Sequence, residues 1–455
     1  MEDPRRSAPA DPPVVLTIAG SDSGGGAGIQ ADIKTIEALG AFATSAITNV
    51  TAQNTLGVAS THPIPIEEIE GQIDAVVDDF DVRAIKTGML GTRPIVETVT
   101  EYAADLAVPL VVDPVMVAAS GDRLLDADAE AAYEGLIAES TLVTPNADEA
   151  AVLTGTKPDS TESAHTAGRA IVALGADAVL VKGGHIPGDR VVDVLTTPEE
   201  EFVFEHPRID TEATHGSGCT LSSAIATRFA HGDGIRDAVE YGIEFIERAV
   251  RYPLDVGSGP GSVHHMVDVR ERASRHSTSE AVETVVEALV DADAGALVPE
   301  VGLNVVGATP YAETVAQTAA VEGRITRTES GIRPNRGVRF GASSHVARFL
   351  LAAREHDPSL RFAANVRFGA DVEDALSVLD DVVEIDRSNE PRPDEEASTM
   401  GWAASTAFRS ASGTPTAVFD RGDIGKEAMT RVLAPEMETL IRRLRALLFA
   451  LDEER

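Results

Sequence analysis

The sequence predicts an α/β fold in two parts, and three observations carry that expectation. From Val14 to about Val267, short apolar runs alternate with amphipathic helical stretches, the pattern of a mostly parallel sheet covered on both faces. Glycine-rich corners follow strand-like runs at Gly20, Gly88, Gly183 and Gly216, where open α/β sheets hold their ligands. The chain of 455 residues exceeds one ordinary core, and 43% hydrophobic residues are enough to fill two.

Each element follows from its own residues. Residues 1–13 are polar and proline-rich, a flexible tail without the apolar stretch of a secretory signal, so a cytoplasmic location is expected. The apolar runs Val14–Ala19, Leu110–Val112 and Ala178–Val181 are too short to cross a bilayer and suit buried strands. Ile29, Ile33, Ile36 and Leu39 recur at helical spacing, which predicts a helix over 28–39 that Gly40 can end. The first domain is expected over 14–267. The charged passage 268–278 reads as a linker, and the second domain takes 279–455, with helices over 280–291 and 435–451.

Charge narrows the function classes. Seventy-four acids against 38 bases give a formal net charge of −36, and only five of the bases are lysine: Lys34, Lys86, Lys157, Lys182 and Lys426. Such a field opposes nucleic-acid binding. Acid enrichment with few lysines reads as adaptation to a high-salt cytoplasm, where screening shrinks self-repulsion. The alternative is a merely acidic protein, and both readings expect instability on desalting. One cysteine, Cys219, excludes an internal disulfide framework and a multi-cysteine zinc site.

The segment from Gly20 to Gly28 joins a strand to a helix, bringing backbone N–H groups and a helix N-terminus toward a polar ligand. No Gly-Lys-Ser/Thr follows, so it is not a P-loop, and no acid stands at the spacing a dinucleotide site needs. Taken alone, the loop reads equally well as a tight turn that only packs a helix onto a sheet. The run Thr214-His215-Gly216-Ser217-Gly218-Cys219-Thr220 is richer. Two glycines and two hydroxyls at a helix start make a nest for phosphate oxygens, with Gly216, Ser217 and Gly218 as anion candidates. Cys219 falls in the first turn, where the helix dipole is expected to favour thiolate, although a lone cysteine is commonly a small buried apolar residue. Phosphoryl transfer also needs a metal, and Asp113, Asn146 and Glu149 are oxygen ligands that suit magnesium. Lys182 follows a strand and can meet a phosphate or pair with a carboxylate.

These segments, with Thr-Ala-Gln-Asn-Thr at 51–55, Gly-Met-Leu at 88–90 and Asp-Pro-Val-Met-Val at 113–117, resemble the hydroxymethylpyrimidine and hydroxymethylpyrimidine-phosphate kinases, a branch of the ribokinase-like fold. The likeness covers roughly 14–265. It implies two successive ATP-dependent phosphorylations, first of the hydroxymethyl oxygen and then of the resulting monophosphate. It also implies that Gly20, Asp32, Gln53, Met89 and Val117 hold the pyrimidine. Cys219 stands where most ribokinase-like enzymes carry an aspartate base, as a base itself or as a group that only orients substrate. Ser217 replaces the threonine usual in this motif and keeps its hydroxyl. A pyridoxal-type kinase is the alternative on the same scaffold.

The second domain carries a basic island in an acidic chain. Arg324, Arg327, Arg333, Arg336, Arg339 and Arg348 face a single acid, Glu329, within 324–348. Guanidinium groups suit phosphate and diphosphate oxygens, and they can equally pair with carboxylates nearby. Ser343, Ser344 and His345 open a helical run and form a second hydroxyl-rich helix start. Downstream, Lys426 sits in a glycine-punctuated loop among acids, fit for a metal-assisted diphosphate site or for an ordinary surface turn. With 299–304 and 323–325, these segments resemble the archaeal ThiN-type thiamine phosphate synthase over roughly 281–447. That resemblance implies a smaller α/β domain that condenses the pyrimidine diphosphate with a thiazole phosphate, with Arg324 and His345 as its functional pair. ThiN-like domains also serve as sensors of thiamine phosphate, which is the competing reading. The expected partners are small molecules and a second copy of the chain, with a homodimer favoured.

Overall fold

The computed structural model describes residues 10–116, 129–186, 188–390, 396–423 and 427–453. It divides into two compact units, Met1–Val267 and Asp268–Arg455.

The first unit is built on nine strands: β1 (Val14–Ser21), β2 (Phe42–Asn54), β3 (Gly57–Pro63), β4 (Val82–Thr87), β5 (Leu110–Val112), β6 (Leu142–Val143), β7 (Val179–Val181), β8 (Arg190–Thr196) and β9 (Glu201–Pro207). They form one sheet in the order β3-β2-β1-β4-β5-β6-β7-β8-β9. The run from β2 to β7 is parallel, while β3, β8 and β9 are antiparallel additions at the two edges. Its helices are α1 (Gly28–Ala38), α2 (Ile66–Val77), α3 (Arg93–Leu106), α4 (Tyr133–Ala138), α5 (Ala147–Thr154), α6 (Thr161–Val172), α7 (Ser217–Ala230) and α8 (Ile235–Arg251). The parallel strands read as continuous apolar runs because both faces are covered; Val15, Leu16, Val111 and Val112 have no exposed surface. Every residue from Thr220 to Thr227 is buried, so α7 is enclosed on all sides, against α1, α8, β4 and β5.

The second unit opens on α9 (Val267–Ala273), whose first residue ends the first unit, and on α10 (Arg275–Asp291). The passage 268–278, read from its charge as a linker, is helical for most of its length. Val267, Glu271 and Thr278 are buried in these helices, while Arg270, Arg272 and His276 are exposed. Seven strands, β10 (Asn304–Ala308), β11 (Thr318–Val321), β14 (Val338–Phe340), β15 (Phe362–Arg367), β16 (Val382–Glu384), β17 (Ala417–Asp420) and β18 (Met429–Ala434), form a sheet in the order β14-β11-β10-β15-β18-β17-β16. A separate hairpin joins β12 (Ile325–Thr328) to β13 (Gly331–Pro334). The remaining helices are α11 (His345–Arg354), α12 (Ala370–Ala375), α13 (Glu396–Ser410) and α14 (Met437–Glu453). Strand alternation assigns the two faces. Val305, Ala364 and Val432 pack with Val282 and Val285 of α10 and Leu440 and Leu444 of α14. Val306, Ala363 and Leu433 pack with Phe349 of α11 and Ala404 of α13. Among the described residues no helix is long and apolar enough to cross a membrane.

Candidate active site

Three neighbouring parallel strands of the first unit deliver polar groups to one place. Asp113 follows β5, Asn146 follows β6 and Lys182 follows β7, with an Asn146–Lys182 bridge extending the last pairing. Lys182 Nζ lies 2.9 Å from Asp113 Oδ1 and 3.9 Å from Glu149 Oε2. The N-terminus of α7 closes on the same group. A Cβ on Gly218 would fall 3.3 Å from Lys182 Nζ and 3.5 Å from Asp113 Oδ2, so the absence of a side chain is what lets the backbone approach. The sheet therefore gathers Asp113, Glu149 and Lys182 with Gly218 of the 216–219 loop.

Burial governs the charges here. It pushes the Glu149 carboxyl up to about 7, with Lys182 opposing and Asp113 adding to the rise. For Lys182 burial works to lower the pKa, but Asp113 and Glu149 outweigh it, and the ammonium is held above its ordinary value. Asn146 departs from the metal-ligand expectation. Its Oδ1 accepts the N–H groups of Asp148 and Glu149, both at 2.9 Å, while Glu149 Oε2 accepts the Asn146 N–H at 2.8 Å. This is a capping box on α5, and it occupies the oxygen a metal would need. Two carboxylates, Asp113 and Glu149, remain.

Two loops interlock beside this group. Asp22 accepts N–H groups from Gly24, Gly26 and Ala27 at 2.8–3.0 Å and lies 3.0 Å from His215 Nε2. A Cβ on Gly216, whose φ is +82°, would fall 1.8 Å from the Gly26 carbonyl oxygen, so backbone touches backbone. Burial alone would raise the Asp22 pKa, but the hydrogen bonds from His215, Ala27 and Gly24 hold it below the usual carboxylate range. The glycine loop is therefore joined to the 216–219 loop.

The residues expected to hold a pyrimidine divide. Met89 is buried beside Gly20, where a Cβ would meet its sulfur at 3.2 Å. Gln53 is half-buried, its backbone gripped by Ser23 at 2.6 and 2.8 Å, its Oε1 accepting from Thr51 at 3.3 Å. Asp32 departs from the expectation. It is fully buried and engaged by Lys86, Thr17 and Ser223, so it presents no free carboxylate. Val117 lies outside the described residues.

Cys219 sits in the first turn of α7 as expected, but the thiolate expectation is reversed. Burial pushes its thiol up to about 11, and the pull of Lys86 and of the Gly28 N–H does not overcome it. One turn of helix dipole is the weaker effect once the sulfur leaves water.

In the second unit the island arginines take separate partners. Arg336 and Arg339 share Glu322 at 3.6 and 3.2 Å, and all of these side chains are exposed or half-buried. Arg324 donates to the Val301 carbonyl and has φ +70°, a left-handed conformation that costs a non-glycine residue roughly 1–2 kcal/mol. Arg327 is exposed on the β12–β13 hairpin. Ser343 is buried, while Ser344 and His345 are exposed at the start of α11, Ser344 Oγ lying 3.2 Å from His345 Nδ1. The register does not bring Arg324 and His345 to one end of the sheet. Val321 pairs with Val338 and Ala319 with Phe340, so Arg324 follows one end of β11 and His345 lies beyond the other. Lys426 lies outside the described residues.

Sequence reasoning passed over several long-range pairings. Asp22, in the loop, and His215, next to the cysteine motif, are paired across 193 residues, a contact that no local pattern announces. Lys86 and Asp32 meet across 54 residues, and lysine scarcity was the one hint. In the second unit Asp420, fully buried, binds Arg387 at 2.8 Å and Arg431 at 3.0 Å, outside the island altogether.

With this geometry in hand, comparison with known proteins is decisive. The family model described as phosphomethylpyrimidine kinase matches residues 22–264, more than half of the chain. The chain belongs to that family. A second model, thiamine-phosphate synthase ThiN, matches residues 281–446. A hydroxymethylpyrimidine/phosphomethylpyrimidine kinase from Streptomyces coelicolor is 46% identical over 258 residues, covering 56% of this chain and 96% of its own. The thiamine biosynthesis bifunctional protein ThiED of Geobacter sulfurreducens is 45% identical over 275 residues, which is 59% of this chain and 56% of that protein. Among solved structures, pyridoxal kinase from Bacillus subtilis as an ADP complex superposes with a TM-score of 0.54 at 33% identity, covering 57% of this chain and all of that one. Pyridoxal kinase from Staphylococcus aureus with AMP-PCP and pyridoxal gives 0.53 at 30% identity, covering 57% and 96%. The ribokinase-like fold of the first unit and the smaller α/β fold of the second agree with the sequence expectation.

Proposed function

We propose that the two units act in succession in thiamine synthesis. The first phosphorylates 4-amino-5-hydroxymethyl-2-methylpyrimidine and then its monophosphate, using ATP. The second condenses the resulting diphosphate with thiazole phosphate, forming thiamine phosphate and releasing diphosphate. The observation that carries the kinase reading is the meeting of Lys182, Asp113 and the Gly218 backbone at the ends of β5 and β7. It offers one cation and a helix N-terminus to a transferring phosphoryl group. Gly20, Met89 and Gln53 receive the ring, Met89 by an apolar face and Gln53 by its amide.

Asp113 and Glu149 suit magnesium, which a protein commonly holds through one or two carboxylates together with substrate phosphates. A carboxyl raised to about 7 beside a second carboxylate is relieved by a dication. When bound, magnesium offsets charge on the ATP phosphates. Cys219, in the fraction that has lost its proton, receives the hydroxyl proton of the pyrimidine as its oxygen attacks the terminal phosphorus, and Gly216, Ser217 and Gly218 offer donors to the phosphate oxygens.

In the second unit Arg324, Arg327 and Arg336 serve the diphosphate, and His345 with Ser343 and Ser344 serves the thiazole phosphate. Arg324→Ala and His345→Ala are expected to abolish condensation of supplied pyrimidine diphosphate and thiazole phosphate. Unchanged turnover in both would remove them from the mechanism, and binding of thiamine phosphate without turnover would make the unit a sensor.

A second reading for the kinase is favoured by the structural likeness to pyridoxal kinases. Turnover of the hydroxymethylpyrimidine and of pyridoxal, compared at matched concentrations in molar salt, decides between them. A homodimer and a high-salt cytoplasm complete the proposal. Sedimentation of the full chain at low and molar salt tests both.

A further inference from the structure

Helices α1 and α7 meet in register beneath the glycine loop. Gly28 and Cys219 stand in the first turn of each. One turn on, at i+4 on both helices, Ser223 Oγ donates to Asp32 Oδ1 at 2.7 Å. Lys86 reaches that second turn from β4, its Nζ 2.8 and 2.9 Å from the two Asp32 oxygens, and Thr17 adds a bond of 2.6 Å. The side chains of Lys86 and Asp32 have no exposed surface. Gly88 makes room for the ammonium, since a Cβ there would fall 3.0 Å from Nζ. Gly88 precedes Met89, so the ammonium lies directly beneath the pyrimidine side of the site.

A fully buried ion pair is a poor device for stability alone, because desolvation cancels most of the attraction. This one has another use within reach. The charges whose fields reach Cys219 are Lys86 from β4, Lys182 after β7, Asp32 from α1 and Asp113 after β5. Lys86 is the leading one that favours an anionic sulfur.

We propose that Lys86 is a positioning residue for phosphoryl transfer, its ammonium fixed by Asp32 so that Cys219 can give up and take back a proton. The inference rests on the reading of Cys219 as base. In that step the substrate O–H bond breaks and an S–H bond forms on the thiolate. The freed oxygen pair makes the new O–P bond, the bond from the terminal phosphorus to its bridging oxygen breaks, and that electron pair leaves with ADP. The thiol then returns its proton to solvent.

The single cysteine makes the test clean, because iodoacetamide reports on Cys219 alone. Alkylation rate against pH is measured on the full chain in molar salt for wild type, Lys86→Met and Asp32→Asn. Lys86→Met is expected to move the profile to higher pH and slow alkylation at pH 8.5 by about tenfold, the effect of one pKa unit on the thiolate fraction. Asp32→Asn is expected to move it to lower pH and speed alkylation. Turnover should fall in Lys86→Met with the KM for the pyrimidine unchanged. A fallen turnover with an unchanged KM, beside opposite shifts, is what a merely structural pair would not produce. An unmoved profile in Lys86→Met, or shifts of one sign in both variants, overturns the proposal. If Lys86→Met does not fold, Asp32→Asn decides alone: faster alkylation supports the proposal, and unchanged or slower alkylation overturns it. Cys219→Ala separates the two levels, since full turnover in that variant defeats the base reading whatever the alkylation profiles do.

Discussion

The cations of the two units are held in opposite ways. In the kinase unit Lys86 and Lys182 are sunk among carboxylates, with side chains 0% and 14% exposed, and their positions are fixed before any ligand arrives. In the synthase unit Arg336 and Arg339 are 70% and 61% exposed and share one glutamate. Two buried arginines of that unit, Arg387 and Arg431, are turned inward on Asp420 and lie outside the island. Electrostatic work done by a fixed cation needs no reorganisation at the moment of reaction, whereas an exposed one is ordered by the ligand it meets. On the proposed function the same charge serves chemistry in one place, framework in a second and capture in a third.

Substitutions can break this comparison. Lys182→Ala is expected to lower kcat of the kinase on the order of 10²–10³-fold, measured by ADP release, because a buried donor at the phosphoryl group is lost. A loss below tenfold would place Lys182 with the framework cations. Asp420→Leu leaves two buried guanidinium groups without their carboxylate and should destabilise the second unit by about 3–5 kcal/mol in denaturant unfolding. Arg339→Ala should change stability by no more than about 1 kcal/mol, as exposed pairs do. A cost equal to that of Asp420→Leu would erase the distinction between island and framework.

The smallest expected effect concerns pH. Burial holds the His265 imidazole down at about 4, with Lys34 adding to the fall. A base whose folded pKa is depressed binds fewer protons folded than unfolded between that value and about 6.5. Its contribution is therefore complete above about 6.5 and is lost as pH falls toward 4. Thermal unfolding should show a shallower loss between pH 7 and 5 in His265→Asn than in wild type, and equal slopes would mean the imidazole is not the titrating group.

What the sequence made legible follows from range. The α1 periodicity, the corner glycines and the cysteine motif are local, and α1 ends at Ala38, one residue from the reading. The helix expected over 435–451 runs from Met437 to Glu453. Asp22 with His215 and Lys86 with Asp32 were hidden because burial and partner, which define their roles, belong to strands and loops distant in the chain. The capping role of Asn146 was hidden because a capping side chain and a metal ligand look alike until the helix behind it is seen. The thiolate expectation failed for a related reason. The dipole could be read from position, while the burial that outweighs it could not.

The account turns on succession, with the product of the first unit consumed by the second. The full chain is incubated in molar salt with hydroxymethylpyrimidine, thiazole phosphate, ATP and magnesium, and the products are identified by mass. The account predicts thiamine phosphate and free diphosphate, with the pyrimidine diphosphate appearing only transiently. Steady accumulation of the pyrimidine diphosphate without thiamine phosphate would contradict it.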